Sequence, residues 1–160
     1  ASEHHVRTDW DYASGISSSE AKAGYEKCRL PRRATVGSAG YDFFAPETFS
    51  LVPHETILIP TGIRVEIKEG WVLQLYPRSG LGFKYCLQMD NTVGIIDSDY
   101  FNAKNGGHIF VKMTNQNRQG RNLSVAAGEG FAQGIFLPFG ITQDDDADGC
   151  REGGFGSTTK

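Results

Sequence analysis

In the stretch "NTVGIIDSDYFN" (91–102) an ionisable Asp97 directly follows the apolar pair Ile95 and Ile96, and Tyr100 lies just beyond it. A carboxylate held against apolar side chains, with little to neutralise it nearby in sequence, has the character of a general base. Partial desolvation raises its affinity for a proton and makes it better at polarising water. The plain alternative, an Asp bonded to its own turn backbone, is commoner for any single Asp and stays open on the residues alone. Tyr100 offers a flat face for a sugar ring and, packed at C2′, would leave no room for a 2′-hydroxyl. Asn91 carries an amide that donates and accepts at once, which suits the edge of a base. Hairpin backbone groups between Asn91 and Ile96 can supply further contacts.

Two other stretches have the composition of anion sites. In "YPRSGLGFK" (76–84) a strand ends at Pro77, and Arg78, Ser79 and Gly80 lead into a helix. Free N–H groups at a helix start, a small hydroxyl, a glycine and a guanidinium together make a cradle for phosphate. The same residues also serve simply as helix caps. In "REGGFGSTTK" (151–160) Arg151 supplies charge, the glycines supply freedom, and Ser157 and Thr158 supply donors. Phe155 is an apolar plate in a polar segment. Ordering such a tail costs roughly 1–2 kcal/mol per residue. A ligand can offset that cost if Phe155 stacks on a planar base while Arg151, Ser157 and Thr158 close over phosphates. The alternative is a flexible tail whose Phe packs on its own domain.

The elements that must position these groups read as short strands. The chain has 160 residues, 39% of them hydrophobic, with 20 glycines and six prolines. That is one domain's worth, built of many short elements and tight turns. "TILIPTGIRVEI" (56–67), "WVLQLYP" (71–77), "HIFVKMT" (108–114) and "LSVAA" (123–127) alternate or are β-branched. "FAQGIFLPF" (131–139) is a near-continuous apolar run and reads as a buried strand. Strands recurring about every ten residues with turn signals between them predict an all-β sandwich or barrel. One short helix is expected over 79–85, with Ser79 as N-cap. Residues 1–25 read as an N-terminal extension, 26–142 as the β core, and 143–160 as an acidic linker and glycine-rich lid. His4 and His5 read as a solvated terminus or tag remnant rather than metal ligands.

The formal net charge of −3 argues against nucleic acid as a partner. Cys28, Cys86 and Cys150 are odd in number and form no CxxC. This argues against a disulfide framework or zinc site and suits a reducing, cytoplasmic setting. No run approaches the roughly 18 apolar residues of a membrane span, and no signal-peptide pattern opens the chain.

Taken in order, the motifs make the chain similar to the trimeric-type dUTPase (deoxyuridine triphosphate nucleotidohydrolase) family. They are "AGYDFFAP" (39–46), "PRSGLG" (77–82), "GIIDSDY" (94–100), "GEGFAQ" (128–133) and "GGFGST" (153–158). The resemblance implies a jelly-roll-like β-barrel and a homotrimer whose sites are each assembled from three chains. It also implies hydrolysis of dUTP to dUMP and pyrophosphate, which keeps uracil out of DNA and supplies dUMP for thymidylate synthesis. On that pattern Asp97 resembles the residue that activates water for attack on the α-phosphorus. Tyr100 matches the tyrosine that packs on deoxyribose. Asn91, with the backbone of Gly94 and Ile96, matches the hairpin that reads uracil. Arg78, Ser79, Gly80 and Gln133 fall on the phosphate side. Asp42 matches an aspartate supporting the metal–phosphate region, and Arg151, Phe155, Gly156, Ser157 and Thr158 match the lid. Mg²⁺ is implied on the triphosphate oxygens, with water completing its shell and no direct protein ligand.

Three features depart from the pattern. Gly130 stands where the family usually has an arginine, with Arg64 or Arg33 as candidate replacements. Arg151 lies one residue closer to Phe155 than usual. "FNAKNGG" (101–107) reads as an insertion that reshapes a trimer contact or the site rim. The rival readings are a dCTP deaminase-like enzyme on the same fold and a regulatory nucleotide-binding protein acting through a protein partner.

Overall fold

A computed structural model describes residues 28–149 and 151, and the backbone of residues 5–8. The expected all-β, jelly-roll-like architecture with one short helix is the one observed. In chain order the strands are β1 (His5–Thr8), β2 (Arg32–Arg33), β3 (Tyr41–Phe44), β4 (Phe49–Leu51), β5 (Thr56–Pro60) and β6 (Ile63–Glu66). There follow β7 (Trp71–Pro77), helix α1 (Ser79–Tyr85), β8 (Leu87–Met89) and β9 (Gly94–Ile96). The described elements end with β10 (Phe110–Asn115), β11 (Leu123–Val125) and β12 (Gly130–Pro138). Alternation sets the buried face: Ile63 and Val65 are buried while Glu66 is exposed, and β11 buries Leu123 and Val125 around an exposed Ser124.

Two antiparallel sheets matter for the site. One has the order β2-β3-β12-β7-β9 and the other β5-β10-β8. They enclose a core that includes Phe131, Leu73, Leu75, Ile109 and Met113, each at most 1% exposed. β1 pairs antiparallel with β6, from His5 opposite Glu66 to Thr8 opposite Ile63. The segment read as an extension of little periodicity therefore contributes a strand, because main-chain pairing to an open strand edge needs no side-chain pattern.

Two local expectations are corrected. The apolar run 131–139 is buried only in its first part: Phe131 and Ala132 are fully covered, whereas Leu137 and Phe139 are 37% and 52% exposed. The cause is strand length. β3 ends at the Tyr41–Gly134 pair, while β7 continues alongside β12 as far as Pro138 opposite Trp71, so the end of β12 has one neighbour instead of two. The N-cap of α1 is Arg78, with extended backbone and no side-chain cap bond, and Ser79 is the first helical residue. Arg78 stays extended as its N–H bonds to Phe131 O at 3.4 Å, which carries sheet pairing one residue past β7.

Buried polar groups are tied down by specific bonds. Asn115 is fully buried, and its Nδ2 donates to Leu51 O and Arg121 O, both at 3.0 Å. Its Oδ1 accepts from the Asn117 N–H at 3.0 Å. Asn115→Ala leaves three backbone groups without that partner, and chemical denaturation should show a loss of about 2–3 kcal/mol. An unchanged midpoint would mean that water replaces the amide.

Candidate functional site

The hairpin that carries the proposed chemistry bridges two sheets. β8 pairs with β10, and β9 pairs with β7 through Leu73–Ile96 and Leu75–Gly94. Its turn is tight: Thr92 N–H bonds to Met89 O at 2.9 Å, and Thr92 itself has φ +63°. Space at Gly94 is tight: a Cβ there would stand 3.1 Å from both Leu75 Cβ and Met89 Cε, so a larger residue would need these neighbours to give by a few tenths of an ångström. Between the diverging arms lies a cavity of about 800 Å³ whose wall includes Asn91, Gly94, Ile96, Tyr100, Asn105 and Arg151.

Asp97 lies at the start of a 3-10 turn, Ser98–Asn102, in which Tyr100 N–H bonds to Asp97 O at 3.2 Å. The Asp97 side chain makes no cap bond to this turn. Its environment differs from the desolvated one expected. The carboxylate is 46% exposed and forms an ion pair with Arg151 Nη2, while Arg151 Nε donates to Asp99 Oδ1 at 2.7 Å. A cation far along the chain thus supplies the charge that local sequence lacked. Tyr100 is buried, with its hydroxyl donating to His108 O at 2.7 Å and accepting from Asn105 Nδ2 at 2.8 Å.

The phosphate-side candidates gather on the other part of the five-stranded sheet. Gln133 on β12 stands opposite Asp42 on β3 and Tyr76 on β7, and its Nε2 donates to Pro77 O at 3.2 Å. Arg78 Nε lies 3.3 Å from Asp42 Oδ1. Gly130 lies against this pair: a Cβ at residue 130 would meet Arg78 Nη1 at 2.7 Å, so the guanidinium would have to shift. Arg78, rather than Arg64 or Arg33, supplies the cation beside Asp42. Arg64 is instead engaged with Phe101 O, and Arg33 with Val36 O and Ser38 O. Exposed Ser79 and Gly80 line a groove of about 510 Å³ with Arg78, Lys84 and Gly130. That groove shares no lining residue with the hairpin cavity.

The chain therefore brings Asn91, Gly94, Ile96, Asp97, Tyr100 and Arg151 to one region, and Asp42, Arg78, Ser79, Gly80 and Gln133 to another. Phe155, Gly156, Ser157 and Thr158 lie outside the described residues. Asn105 and Lys112, which line the hairpin cavity, were not identified from sequence. An amide in the Asn-Gly turn of the insertion is the only hint the sequence carries of the former. Among the described residues no group of three or more His, Cys, Asp or Glu is placed to hold a metal ion. No described helix is long and apolar enough to cross a membrane.

A family model described as dUTPase matches residues 26–159. The deoxyuridine 5'-triphosphate nucleotidohydrolase of Lactococcus lactis is 42% identical over 132 residues, covering 81% of this chain and 87% of that protein. The crystal structure of the dUTPase from Streptococcus mutans is similar with a TM-score of 0.68 and 34% identity, covering 86% of this chain and 98% of that one. A mutant dUTPase from Staphylococcus aureus phage phi11, which coordinates a structural Mg(II) ion, shares the fold at 24% identity and a TM-score of 0.66. It covers 92% of this chain and 97% of its own.

Burial raises the Tyr100 pKa above its ordinary 10.0, with the Asn105 hydrogen bond and the Arg151 charge acting in the opposite sense. The folded protein keeps this proton where the unfolded chain releases it, so stability is intact below pH 10 and falls as pH rises above it. In urea titrations from pH 9 to 11, Tyr100→Phe should flatten that alkaline decline. An equal decline in both proteins would place the titration elsewhere.

Proposed function

The chain belongs to the dUTPase family and hydrolyses dUTP, and we propose that it does so with Asp97 as the base and with sites shared between chains. Water attacks the α-phosphorus as its proton passes to Asp97, the bond from that phosphorus to the bridging oxygen breaks, and pyrophosphate leaves dUMP behind. The observation that supports this reading is the placement of Asp97 beside a cavity walled by Asn91, Gly94 and Tyr100. Uracil lies against the hairpin, and the Tyr100 ring packs on deoxyribose. Arg151 moves from Asp97 to the phosphates, since a triphosphate is the stronger anion for a guanidinium, and Oδ1 and Oδ2 are then both free for water. Phe155, Gly156, Ser157 and Thr158 complete the lid.

The donor set fits magnesium only in one way. Asp42 is paired with Arg78, and a hard cation takes oxygen ligands and keeps water, so its protein contact at Asp42 would run through water. Bound with the substrate, Mg²⁺ supplies charge neutralisation at the triphosphate oxygens. Arg78, Ser79 and Gly80 hold the same phosphates, and Gln133 orients the strand end beneath them.

The separation of the hairpin cavity from the Arg78–Ser79–Gly80 groove supports assembly of each site between copies of the chain, in a homotrimer. The exposed apolar end of β12 and the following residues, Leu137, Phe139 and Ile141, offer surface for such contacts. Cys86 is an exposed free thiol, which supports a cytoplasmic setting.

Pyrophosphate release from dUTP should fall by about 10²–10⁴ in Asp97→Asn with substrate binding retained. Undiminished turnover would remove Asp97 from the role of base. Denatured and co-refolded Asp97→Asn and Arg78→Ala chains, each inactive alone, should recover about a quarter of wild-type activity, the statistical share of intact sites in random oligomers. No recovery would place both residues of a site on one chain.

A further inference from the structure

The insertion after Tyr100 folds back against the residue that precedes it. Ala103 N–H bonds to Tyr100 O at 3.0 Å, and Gly106 N–H to Ala103 O at 2.8 Å. Gly107 has φ +73°, and a Cβ on it would stand 2.9 Å from Tyr100 O and from the Cα and O of Phe101. All three obstructing atoms are backbone, so this close approach depends on glycine. On the far side Arg64 holds Phe101. Its guanidinium carbon lies 3.5 Å from the ring centroid, and Nε and Nη2 donate to Phe101 O at 3.1 and 2.6 Å. A loop gripped in this way is a support.

Asn105 connects that support to the cavity. Its Oδ1 accepts from the Gly107 N–H at 3.1 Å, which shapes the loop. Its Nδ2 donates to the Tyr100 hydroxyl at 2.8 Å and to His108 O at 3.2 Å. The Tyr100 hydroxyl in turn donates to His108 O at 2.7 Å. The phenol is thus held through its acceptor and its donor at once, against the backbone of a residue that is itself buried in the core. Asn105 and Tyr100 line the same cavity.

We infer that Asn105 is a positioning residue for sugar discrimination: by anchoring the Tyr100 hydroxyl to the loop 101–108, it prevents the ring from retreating before a 2′-hydroxyl. The inference rests on the reading that Tyr100 packs on the deoxyribose. Its physical basis is stiffness. An apolar wall rejects a substrate that merely adds a hydroxyl by only about 10²-fold, and less if the wall yields. A ring held at its far end by two hydrogen bonds cannot tilt without breaking them.

The test measures kcat and KM for dUTP and UTP separately in wild type, Asn105→Asp, Tyr100→Phe, the double variant and Tyr100→Ala, with a melting curve for each. Asn105→Asp retains the acceptor for Gly107 N–H and loses the donor to Tyr100. The hydroxyl, with one proton, then bonds either His108 O or the new carboxylate but not both, so the loop is kept while one of the two restraints on the ring is lost. Tyr100→Phe removes both bonds of the hydroxyl and keeps the ring, so it serves if Asn105→Asp folds poorly. Each should narrow the dUTP-to-UTP ratio of kcat/KM by about tenfold. For Asn105→Asp the change should lie mainly in KM for UTP rather than in kcat for dUTP. The double variant should narrow the ratio no further than Tyr100→Phe alone, since without the hydroxyl Asn105 has nothing to anchor. If folded Asn105→Asp and Tyr100→Phe keep the wild-type ratio while Tyr100→Ala loses it, the sugar reading of Tyr100 stands and the role of Asn105 is overturned. If Tyr100→Ala also keeps it, both fall together.

Discussion

The pairing of β7 with its two neighbours is the constraint on which the described site depends. On one edge β7 holds the hairpin, with Leu75 against Gly94, and on the other it aligns Tyr76 with Gln133. Past Pro77, one further bond from Arg78 to Phe131 O delays the start of α1 and leaves the Arg78 side chain free to reach Asp42. Successive residues of a strand face opposite ways. Leu75 therefore lines the hairpin cavity while Tyr76 lines a separate cleft with Arg78, Ser79 and Gln133. A single strand thus sorts Asn91, Gly94 and Tyr100 from Arg78, Ser79 and Gln133. On the proposed reading these are two halves of sites shared between copies of the chain.

The electrostatics follow the same division. Each half-site holds an acid against an arginine: Asp42 with Arg78, and Asp97 with Arg151. Neither pair is fully buried, so desolvation costs are modest and the partners can exchange. On the proposed reading an incoming triphosphate competes for both guanidinium groups. Gly130 belongs to this arrangement, since the Arg78 guanidinium lies where a side chain at residue 130 would begin.

Much of the architecture was legible in the sequence for simple reasons. Period-two alternation marked β6, β7, β10 and β11, because one face of each meets a common core. Pro77 at the end of β7, with Ser79 and Gly80 just beyond it, marked the helix. Where the reading failed, a neighbour distant in sequence decided the outcome. Ser79 has the chemistry of a cap, yet pairing to Phe131 places the cap one residue earlier. The run after Phe131 is apolar, yet its end is exposed because β3 is too short to cover it. Asp97 has apolar neighbours along the chain, yet its carboxylate meets an arginine from the far C-terminal segment.

The sequence by itself determined the family, the strand pattern and the order of the chemically active motifs, since these depend on residue type and short-range spacing. Tertiary structure alone decided which charges meet: Arg78 with Asp42, Arg151 with Asp97, and Arg64 with Phe101 rather than with the phosphate side. It also gave the insertion its place, folding Asn105 back onto the Tyr100 hydroxyl through the left-handed Gly106–Gly107 turn. The physical reason is the reach of the interactions. Alternation and turn chemistry act over a few residues, whereas an ion pair or a buried hydrogen bond joins whatever the sheets bring within about 3 Å, at any separation along the chain.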